Sequence, residues 1–297
     1  YFTLKNFAGL PVDLKMGRQQ IVLDGHRIFG NTIWTVGQQT HDALRLDHKH
    51  DNMSFSYAWI TNSEAGTPGN NATASTNNEI ETHMAYFKYA GILGGNLSAT
   101  YAGIIDPCGN NSNCTTAPAE SRNDMHTIGV RQAGQLYGID YRGEYYYQWG
   151  DANQDAQNLT TGSSTAGVAV DRDAYMFGVR IGKTFKNVTM KPSLTIWYDF
   201  LSGTDDSDLT ASTVKYKSFN PVFDTGHKFY GLQDLFLGIG TGNETNGTAA
   251  LGLQDLAIKT KMSPAPGWTF KTDYHWFYTA EGLVTNSQRG LSGAGTS

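Results

Sequence analysis

Two short pairs of residues have the types needed for catalysis or for metal binding. Asp273 and His275 would lie on one face of a strand, where the carboxylate could orient the imidazole, but no serine stands in a comparable setting nearby. His48 and His50 could chelate a metal, yet they lack a third ligand and border a predicted turn, so a solvated turn is the better interpretation. We therefore expect no catalytic residue, no metal and no other cofactor, and hence no enzyme.

Arginine and lysine side chains offer a different chemistry, the binding of anions. The planar fork of arginine can hold a carboxylate through two hydrogen bonds and stays charged near pH 7. The chain as a whole is acidic, with 22 Lys and Arg against 27 Asp and Glu and a net charge of -5, which argues against nucleic acid as a partner. Anion binding therefore requires a fold that gathers the basic residues in one place.

Alternation of polar and apolar residues indicates how such a fold is built. In 135–149, the odd positions include Tyr145 and Trp149, while the even positions include Arg142 and Glu144. One face of such a strand is aromatic and the other is charged. Alternation is weaker in 80–92 and 249–262, where we expect β-bulges.

The pattern predicts twelve strands in a single β-barrel domain that covers residues 1–297. Most are longer than the usual strand of about 5 or 6 residues, and aromatic residues cluster at their ends, as in transmembrane barrels. A soluble β-sandwich also alternates and is the competing interpretation. No run approaches the roughly 18 apolar residues of a membrane helix, and the mean hydropathy is -0.41. The predicted strands are 1–6, 12–20, 41–48, 53–61, 80–92, 96–105, 124–132, 135–149, 170–184, 188–201, 249–262 and 267–280.

Connections between these strands alternate between short and long. The short links are predicted near Lys49 to Asp51, Leu93 to Gly95, Ala133 to Gly134, Phe185 to Asn187 and Ser263 to Pro266. Bacterial outer-membrane barrels have short periplasmic turns and long extracellular loops. We therefore expect an all-β, antiparallel transmembrane barrel of the outer-membrane type. Its predicted extracellular loops lie near 21–38, 61–79, 106–123, 150–168 and 202–248.

Assigning the polar face of each strand to the interior predicts a lumen with a slight excess of basic residues. Such residues attract anions into a pore, although each could instead form structural ion pairs across neighbouring strands. The candidate anion-binding residues in the strands are Arg45, Arg131, Arg142, Arg180, Lys191 and Lys271. Cys108 and Cys114 enclose a polar stretch within one long loop, so we interpret them as a disulfide formed in an oxidising compartment.

Two ordered blocks of sequence lie some 190 residues apart. The first block consists of Gly17-Arg18-Gln19-Gln20, Gly25-His26-Arg27-Ile28-Phe29-Gly30, Trp34, Gly37-Gln38 and Asp42-Ala43-Leu44-Arg45-Leu46. The second consists of Phe219-Asn220-Pro221-Val222-Phe223, Thr225-Gly226-His227-Lys228-Phe229-Tyr230-Gly231 and Asp234. Together, the two blocks resemble the alginate-export family of outer-membrane barrels. The first block adds Arg18 and Arg27 to the anion-binding candidates, although parity requires a bulge at Gly17 to turn Arg18 inward; alternatively, these arginines pair with Asp24 or Asp42.

The resemblance implies a porin-like channel in the bacterial outer membrane that passes solutes passively. A small anion, an anionic sugar or an anionic polysaccharide, as in alginate export, is the expected solute. Outer-membrane lipid, lipopolysaccharide, a second copy of the chain and a periplasmic protein are the candidate partners. The family also implies about 16 to 18 strands, so we expect the chain to form part of a larger barrel. The alternative function is a structural barrel, plugged by its own loops, that acts as a scaffold, a sheath or a component of a surface array.

Overall fold

The protein is a single antiparallel β-sheet in which most strands pair with the next strand along the chain. In the computed structural model, the described residues are 1–33, 36, 38–63, 80–106, 122–153, 170–205, 207–208, 215–231, 233, 235–236 and 248–282. A one-turn helix, Gly226–Tyr230, lies between the last strands. Within the described residues, no helix is long and apolar enough to cross a membrane.

Thirteen strands make up the sheet. Twelve of them pair in the order β1-β2-β3-β4-β5-β6-β7-β8-β9-β10-β12-β13, and the two-residue β11 pairs in parallel with β9. The bounds are β1 Phe2–Leu4, β2 Val12–Gln19, β3 His41–His50, β4 Met53–Ser63, β5 Ile80–Ile92, β6 Gly95–Ile105, β7 Met125–Leu136, β8 Ile139–Asp151, β9 Asp171–Thr184, β10 Ser193–Leu201, β11 Lys215–Tyr216, β12 Leu253–Met262 and β13 Phe270–Tyr278.

Each of the twelve predicted strands overlaps a strand of the sheet, the prediction 135–149 also includes the last two residues of β7, and β11 is the additional element. The link predicted at Ala133 to Gly134 was wrong, because β7 continues through these residues and the turn lies at Tyr137 and Gly138. Both turn residues have positive φ, 50° and 75°, as a tight two-residue hairpin turn requires. A tyrosine at the first position is unusual for such a turn, so the sequence carries little signal for it.

The two faces of the sheet follow the predicted alternation. On the outward face, aromatic rings stack in a chain across β8, β9 and β10, with centroids 6.5 Å apart for Tyr145 and Tyr175 and 5.7 Å apart for Tyr175 and Phe200. On the inward face, Arg142, Glu144 and other polar side chains are buried. This division between an exposed aromatic face and a polar inner face is the pattern of a transmembrane barrel wall.

Bulges occur in one of the two predicted places. The pairing of β5 with β6 shifts between Ala90 and Ile92, where Gly91 has a φ of 99°. The bulge predicted within 249–262 is absent from the described pairing, because β12 keeps a continuous register with both β10 and β13. The irregular residues there, Ala249 and Ala250, have positive φ and form the turn that precedes β12.

Candidate functional site

Two segments between strands fold back over the inward face of the sheet. We call residues 20–31 the first inward segment and residues 217–231 the second inward segment. Seven of their apolar side chains are almost completely buried and belong to the same core cluster as inward residues of the strands. From the segments, the cluster contains Ile21, Leu23, Ile28, Phe29, Phe219, Phe229 and Tyr230, and from the strands it includes Ala58, Met84, Ala174 and Met176. The two segments therefore fill part of the space that the sheet encloses.

Backbone hydrogen bonds join the two inward segments to each other. The amide of Gly30 donates to the carbonyl of Phe223 at 2.7 Å, and the amide of Phe223 donates to the carbonyl of Ile28 at 3.1 Å. The Thr225 hydroxyl bridges both backbone groups of Asn31. A side chain at Gly30 would collide with the Thr225 hydroxyl, so glycine is needed for this close approach. The two blocks that resembled the alginate-export family thus meet in space.

Gln148 fastens the second inward segment to the sheet. Its side-chain amide donates to the carbonyl of Asn220 at 2.6 Å, and its side-chain oxygen accepts from the amide of Asn220 at 2.9 Å. Gln148 itself is fully buried on the inward face of β8. This reciprocal pair satisfies a buried backbone donor and acceptor, as burial away from water requires.

Arg27 is the centre of the site. Only 1% of its surface is exposed, and its guanidinium contacts Glu144 of β8 at 3.2 Å, a carboxylate oxygen of Asp199 of β10, and the Tyr230 hydroxyl at 3.4 Å. The guanidinium also lies 3.6 Å from the centroid of the Phe229 ring. Burial alone would lower the pKa of Arg27, but the neighbouring carboxylates raise it well above its ordinary value. Arg27 therefore remains charged and links both inward segments to the sheet.

A glycine on β9 leaves the room that these ion pairs occupy. Gly178 lies between Glu144 and Asp199 in the strand register. A Cβ atom at this position would lie 2.5 Å from the Asp199 Oδ1 atom and 3.1 Å from the Glu144 Oε1 atom. An alanine here would crowd both carboxylates and require them to move, whereas glycine leaves their positions free.

Two further arginines extend the cluster. Arg142 contacts Asp199 at 2.9 Å and Glu144 at 3.6 Å, and its guanidinium lies 4.0 Å from the Trp197 ring centroid. Arg131 lies 3.5 Å from Glu144 and 3.8 Å from Asp24 of the first inward segment. We call Arg27, Arg131, Arg142 and the carboxylates of Asp24, Glu144 and Asp199 the interior ion cluster.

Positive charge exceeds negative charge around the interior ion cluster. Arg180 of β9 lies directly opposite Arg142 of β8 in the strand pairing. Lys228 is a solvent-accessible lysine of the second inward segment. Partial loss of hydration and then the positive field of Arg131, Arg142, Arg180 and Arg27 lower the pKa of Lys228. With these two residues, five basic groups lie around the three carboxylates of the cluster, while the buried Asp255, opposite Asp199 in the strand pairing, contacts His275.

A fourth carboxyl group, Asp224, adds little negative charge to this region. Burial raises the pKa of Asp224 to about 7, so the group is only partly ionised at neutral pH. Its Oδ2 atom has no hydrogen-bond partner among the described residues.

The structure corrects the position assumed for Arg18. The pairing of β2 with β3 is continuous through Gly17, so no bulge turns Arg18 inward. The alternation of the strand therefore puts Arg18 on the exposed face. There its Nε and Nη2 atoms donate to the two carboxylate oxygens of Asp42 at 3.0 and 2.7 Å. This is the pairing that the sequence offered as the alternative to an anion-binding role. For Arg27, the expected partner Asp24 is replaced by Glu144 and Asp199.

The other strand candidates lie apart from the interior ion cluster. Arg45 faces inward and pairs with Asp47 at 2.8 Å. Lys191 was wrongly assigned to a strand, because it lies in the turn between β9 and β10 with a φ of 44°. Lys271 of β13 lies opposite Lys261 of β12 on the inward face. It is exposed, and it is the second residue of its strand. Cys108 and Cys114 lie outside the described residues, and their disulfide stays a prediction.

The second resemblance block supplies packing and anchoring residues. Phe219 is fully buried, Asn220 pairs with Gln148, and Tyr230 contacts Arg27. His227 is half-buried, and Gly231 ends the short helix with a φ of 87°. Asp234 lies outside the described residues.

The residues of the two pairs considered for catalysis and metal binding contact other groups. The His275 imidazole contacts Asp255 at 2.9 Å, while Asp273 pairs with Lys259 at 3.2 Å. The imidazole rings of His48 and His50 are stacked, with centroids 6.5 Å apart. No group of three or more residues that could hold a metal occurs in the described part of the chain.

Sequence reasoning did not assign a site role to Gly178, Lys228 and Asp224. Alternation in β9 puts Gly178 on the inward face, but its neighbours Glu144 and Asp199 follow only from the strand register. Lys228 lies within the second resemblance block, and Asp224 lies between its parts. The sequence identified this block as a motif but did not predict that it lies inside the barrel. Their location depends on how the second inward segment folds back, which no local pattern specifies.

The two-faced antiparallel sheet, with inward charges and an outward aromatic surface, defines an all-β protein of the outer-membrane barrel class. The family model described as alginate export matches residues 1–285, and the chain belongs to this family. No curated protein matches the chain significantly.

Among solved structures, the chain is similar in fold to OccK8 (OprE) of Pseudomonas aeruginosa, with 12% sequence identity and a TM-score of 0.49. The match covers 89% of this chain and 63% of OccK8, so the chain spans less than two thirds of that protein.

Proposed function

We propose that the chain forms the wall and constriction of a passive, anion-preferring channel in the bacterial outer membrane. Membership of the alginate export family supports a channel, and the proposed solutes are small anions, anionic sugars or anionic polysaccharides. Outer-membrane lipid and lipopolysaccharide would contact the aromatic outward face. No chemistry on the solute is proposed.

The excess of basic groups around the interior ion cluster is the observation that carries this proposal. Arg180 and Lys228 have no ion-pair partner within the described residues, while Arg27, Arg131 and Arg142 share three carboxylates. A low-dielectric wall strengthens the attraction of such charges for an anion. Because the nearby carboxylates offset part of the charge, the attraction stays weak enough for an anion to leave, as conduction requires.

Reversal potentials in a salt gradient test the preference for anions. The protein is reconstituted in a planar bilayer, and native channels are compared with the double variant Arg180→Gln, Lys228→Gln. These two side chains are chosen because they can lose their charge without breaking an ion pair of the cluster. Lys186→Gln is the control, since Lys186 lies in the short turn after β9 and is exposed.

We expect anion preference in the native protein and in the control, and a smaller preference in the double variant. The preference should also weaken in 1 M salt, where the Debye length is about 3 Å. Cation preference of the native channel, or an unchanged double variant, would contradict the proposal.

A scaffold role is the second candidate, and the packing of the two inward segments favours it. They are joined to each other and to Gln148, so they could keep the interior closed. A second copy of the chain or a periplasmic protein would then be the partner. A reconstituted protein that inserts in the bilayer and never conducts would support the scaffold and refute the channel.

A further inference from the structure

Asp224 lies between the two residues that join the second inward segment to the first. Its neighbour Phe223 forms two backbone hydrogen bonds with the first inward segment, of 2.7 and 3.1 Å. Its other neighbour, Thr225, holds both backbone groups of Asn31 through its hydroxyl. A change of charge at Asp224 therefore acts on both attachments at once.

The carboxyl group of Asp224 is enclosed at this junction. Part of the residue is exposed, but its Oδ2 atom is buried and has no hydrogen-bond partner among the described residues. The Tyr230 hydroxyl is hydrogen-bonded to the carboxyl group and also accepts from Arg27 at 3.4 Å. Arg27 is already shared by Glu144 and Asp199, so it compensates a third carboxylate only in part. A negative charge on Asp224 is therefore costly here, and a proton on the carboxyl group removes that cost.

The proton on Asp224 is held more tightly when the two segments are docked. Burial raises the pKa of Asp224 to about 7 in the docked state. Once the segments separate, water reaches the carboxyl group and its pKa returns to the ordinary value of about 4. Docking therefore weakens as the pH rises, and between about pH 6 and pH 8.5 its equilibrium constant should fall about tenfold.

We infer that Asp224 is a proton-operated latch, which holds the two inward segments together while it is protonated and releases them when it ionises. The latch rests on the proposed function and deepens it, because release of the segments would widen the path through the channel. The latch thus makes conduction dependent on pH, through a group that does not contact the solute.

Two histidines at the junction act in the opposite sense. The His26 Nδ1 atom lies 3.2 Å from the Thr225 hydroxyl, and the centroid of the His41 ring lies 4.9 Å from that of the Phe223 ring. Burial, and then the charge of Lys228, lower the pKa of His26. Either histidine would gain charge only in acid and would loosen the junction there. Substitution of Asp224 alone separates its effect from theirs.

A ¹⁹F NMR measurement follows docking without reference to conduction. The ring of Trp197 in β10 contacts the ring of Phe229 in the second inward segment, with centroids 5.9 Å apart, so its signal reports docking. The full chain is labelled with 5-fluorotryptophan and reconstituted in lipid nanodiscs, and the Trp197 signal is identified by its loss in Trp197→Phe. We expect the native signal to leave its docked position as the pH rises from about 6 to 8.5.

Variants of single residues test whether Asp224 is the switch. Asp224→Asn cannot ionise and should keep the docked signal at both pH values. Asp51→Asn, at an exposed turn, is the matched control and should follow the native protein. Tyr230→Phe removes a hydrogen bond to ionised Asp224 and should move the midpoint of the switch to higher pH.

Three results would each overturn the latch. They are a native Trp197 signal that does not change with pH, a native switch in Asp224→Asn, and a midpoint that stays or falls in a folded Tyr230→Phe. Planar bilayers supply the second readout. Conductance of the native channel should be larger or more frequently fluctuating at the higher pH, and Asp224→Asn should show no difference.

Failure of the latch is distinguishable from failure of the channel. A protein whose Trp197 signal switches with pH, but which never conducts, would retain the latch and refute the channel. A channel that prefers anions at both pH values, with a stationary Trp197 signal and equal conductance, would retain the proposed function and refute the latch.

Discussion

Replacing Arg27 with methionine tests whether the buried ion pairs hold the first inward segment in place. Methionine keeps most of the aliphatic length and removes the charge, the hydrogen bonds and the contact of the guanidinium with the Phe229 ring. Glu144 and Asp199, both almost fully buried, would lose one of the two arginines that they share. The perturbation is therefore electrostatic and local.

The expected magnitude follows from what remains after the substitution. Removing one partner of a buried ion pair destabilises a protein by about 3 to 5 kcal/mol. Arg142 would still contact Asp199 at 2.9 Å and Arg131 would still lie 3.5 Å from Glu144, so part of the compensation survives. We expect the free energy of unfolding to fall by about 3 kcal/mol, at the lower end of that range.

Urea unfolding of the folded protein in lipid vesicles measures this change. Arg18→Met is the matched control, because Arg18 also forms a two-pronged pair with an aspartate but on the exposed face. It should leave the unfolding midpoint unchanged within error. A double-mutant cycle of Arg27→Met with Asp199→Asn should give a coupling free energy of about 1 to 3 kcal/mol.

Single-channel recording of the same variants supplies an independent result. If Arg27 holds the first inward segment, Arg27→Met should show larger or more frequently fluctuating conductance than the native protein and Arg18→Met. A variant with native stability and native conductance would refute the argument, and so would equal destabilisation by Arg18→Met.

Three other expectations follow from the structure and the sequence. Gly178→Ala should destabilise the protein in urea, whereas Gly143→Ala, where an added Cβ meets nothing within 4 Å, should be neutral; equal effects would contradict the crowding argument. Burial raises the pKa of Asp224 to about 7 in the folded state. Between about pH 4 and pH 7, the folded protein therefore binds more protons than the unfolded chain, so its stability should fall as the pH rises through this window. Asp224→Asn should remove this dependence, and a variant with the native pH profile would show that another group is responsible. Mass spectrometry of the native protein should find Cys108 and Cys114 oxidised, and two free thiols would disprove the disulfide.

The strands were predictable because alternation along a strand is a local property. Parity assigned Arg142 and Glu144 to one face and Tyr145 to the other before any partner strand was known, and the pairing agrees. Parity was also right for Arg18, where the family resemblance suggested an inward position. A rule set by the pleat of the backbone was thus more reliable than a motif whose side chains have several candidate partners.

The interior ion cluster was beyond such reasoning because its contacts are distant in sequence. Arg27 meets Glu144 and Asp199, which follow it by 117 and 172 residues. Whether an arginine in a long loop reaches the interior depends on where the loop folds. The loop's position in turn depends on the hydrogen bonds between the two inward segments, including that of Gly30 to Phe223.

The same sequence separation has a consequence for the order of assembly. Arg142 and Asp199 belong to strands of the sheet, so their ion pair can form as soon as β8, β9 and β10 are together. Arg27 can join only after both strands are in place, although it is made first on the ribosome. Because contacts between distant residues form slowly, docking of the first inward segment should be a late kinetic step, after the sheet has formed. A refolding intermediate would then have native strands and a solvent-accessible Arg27.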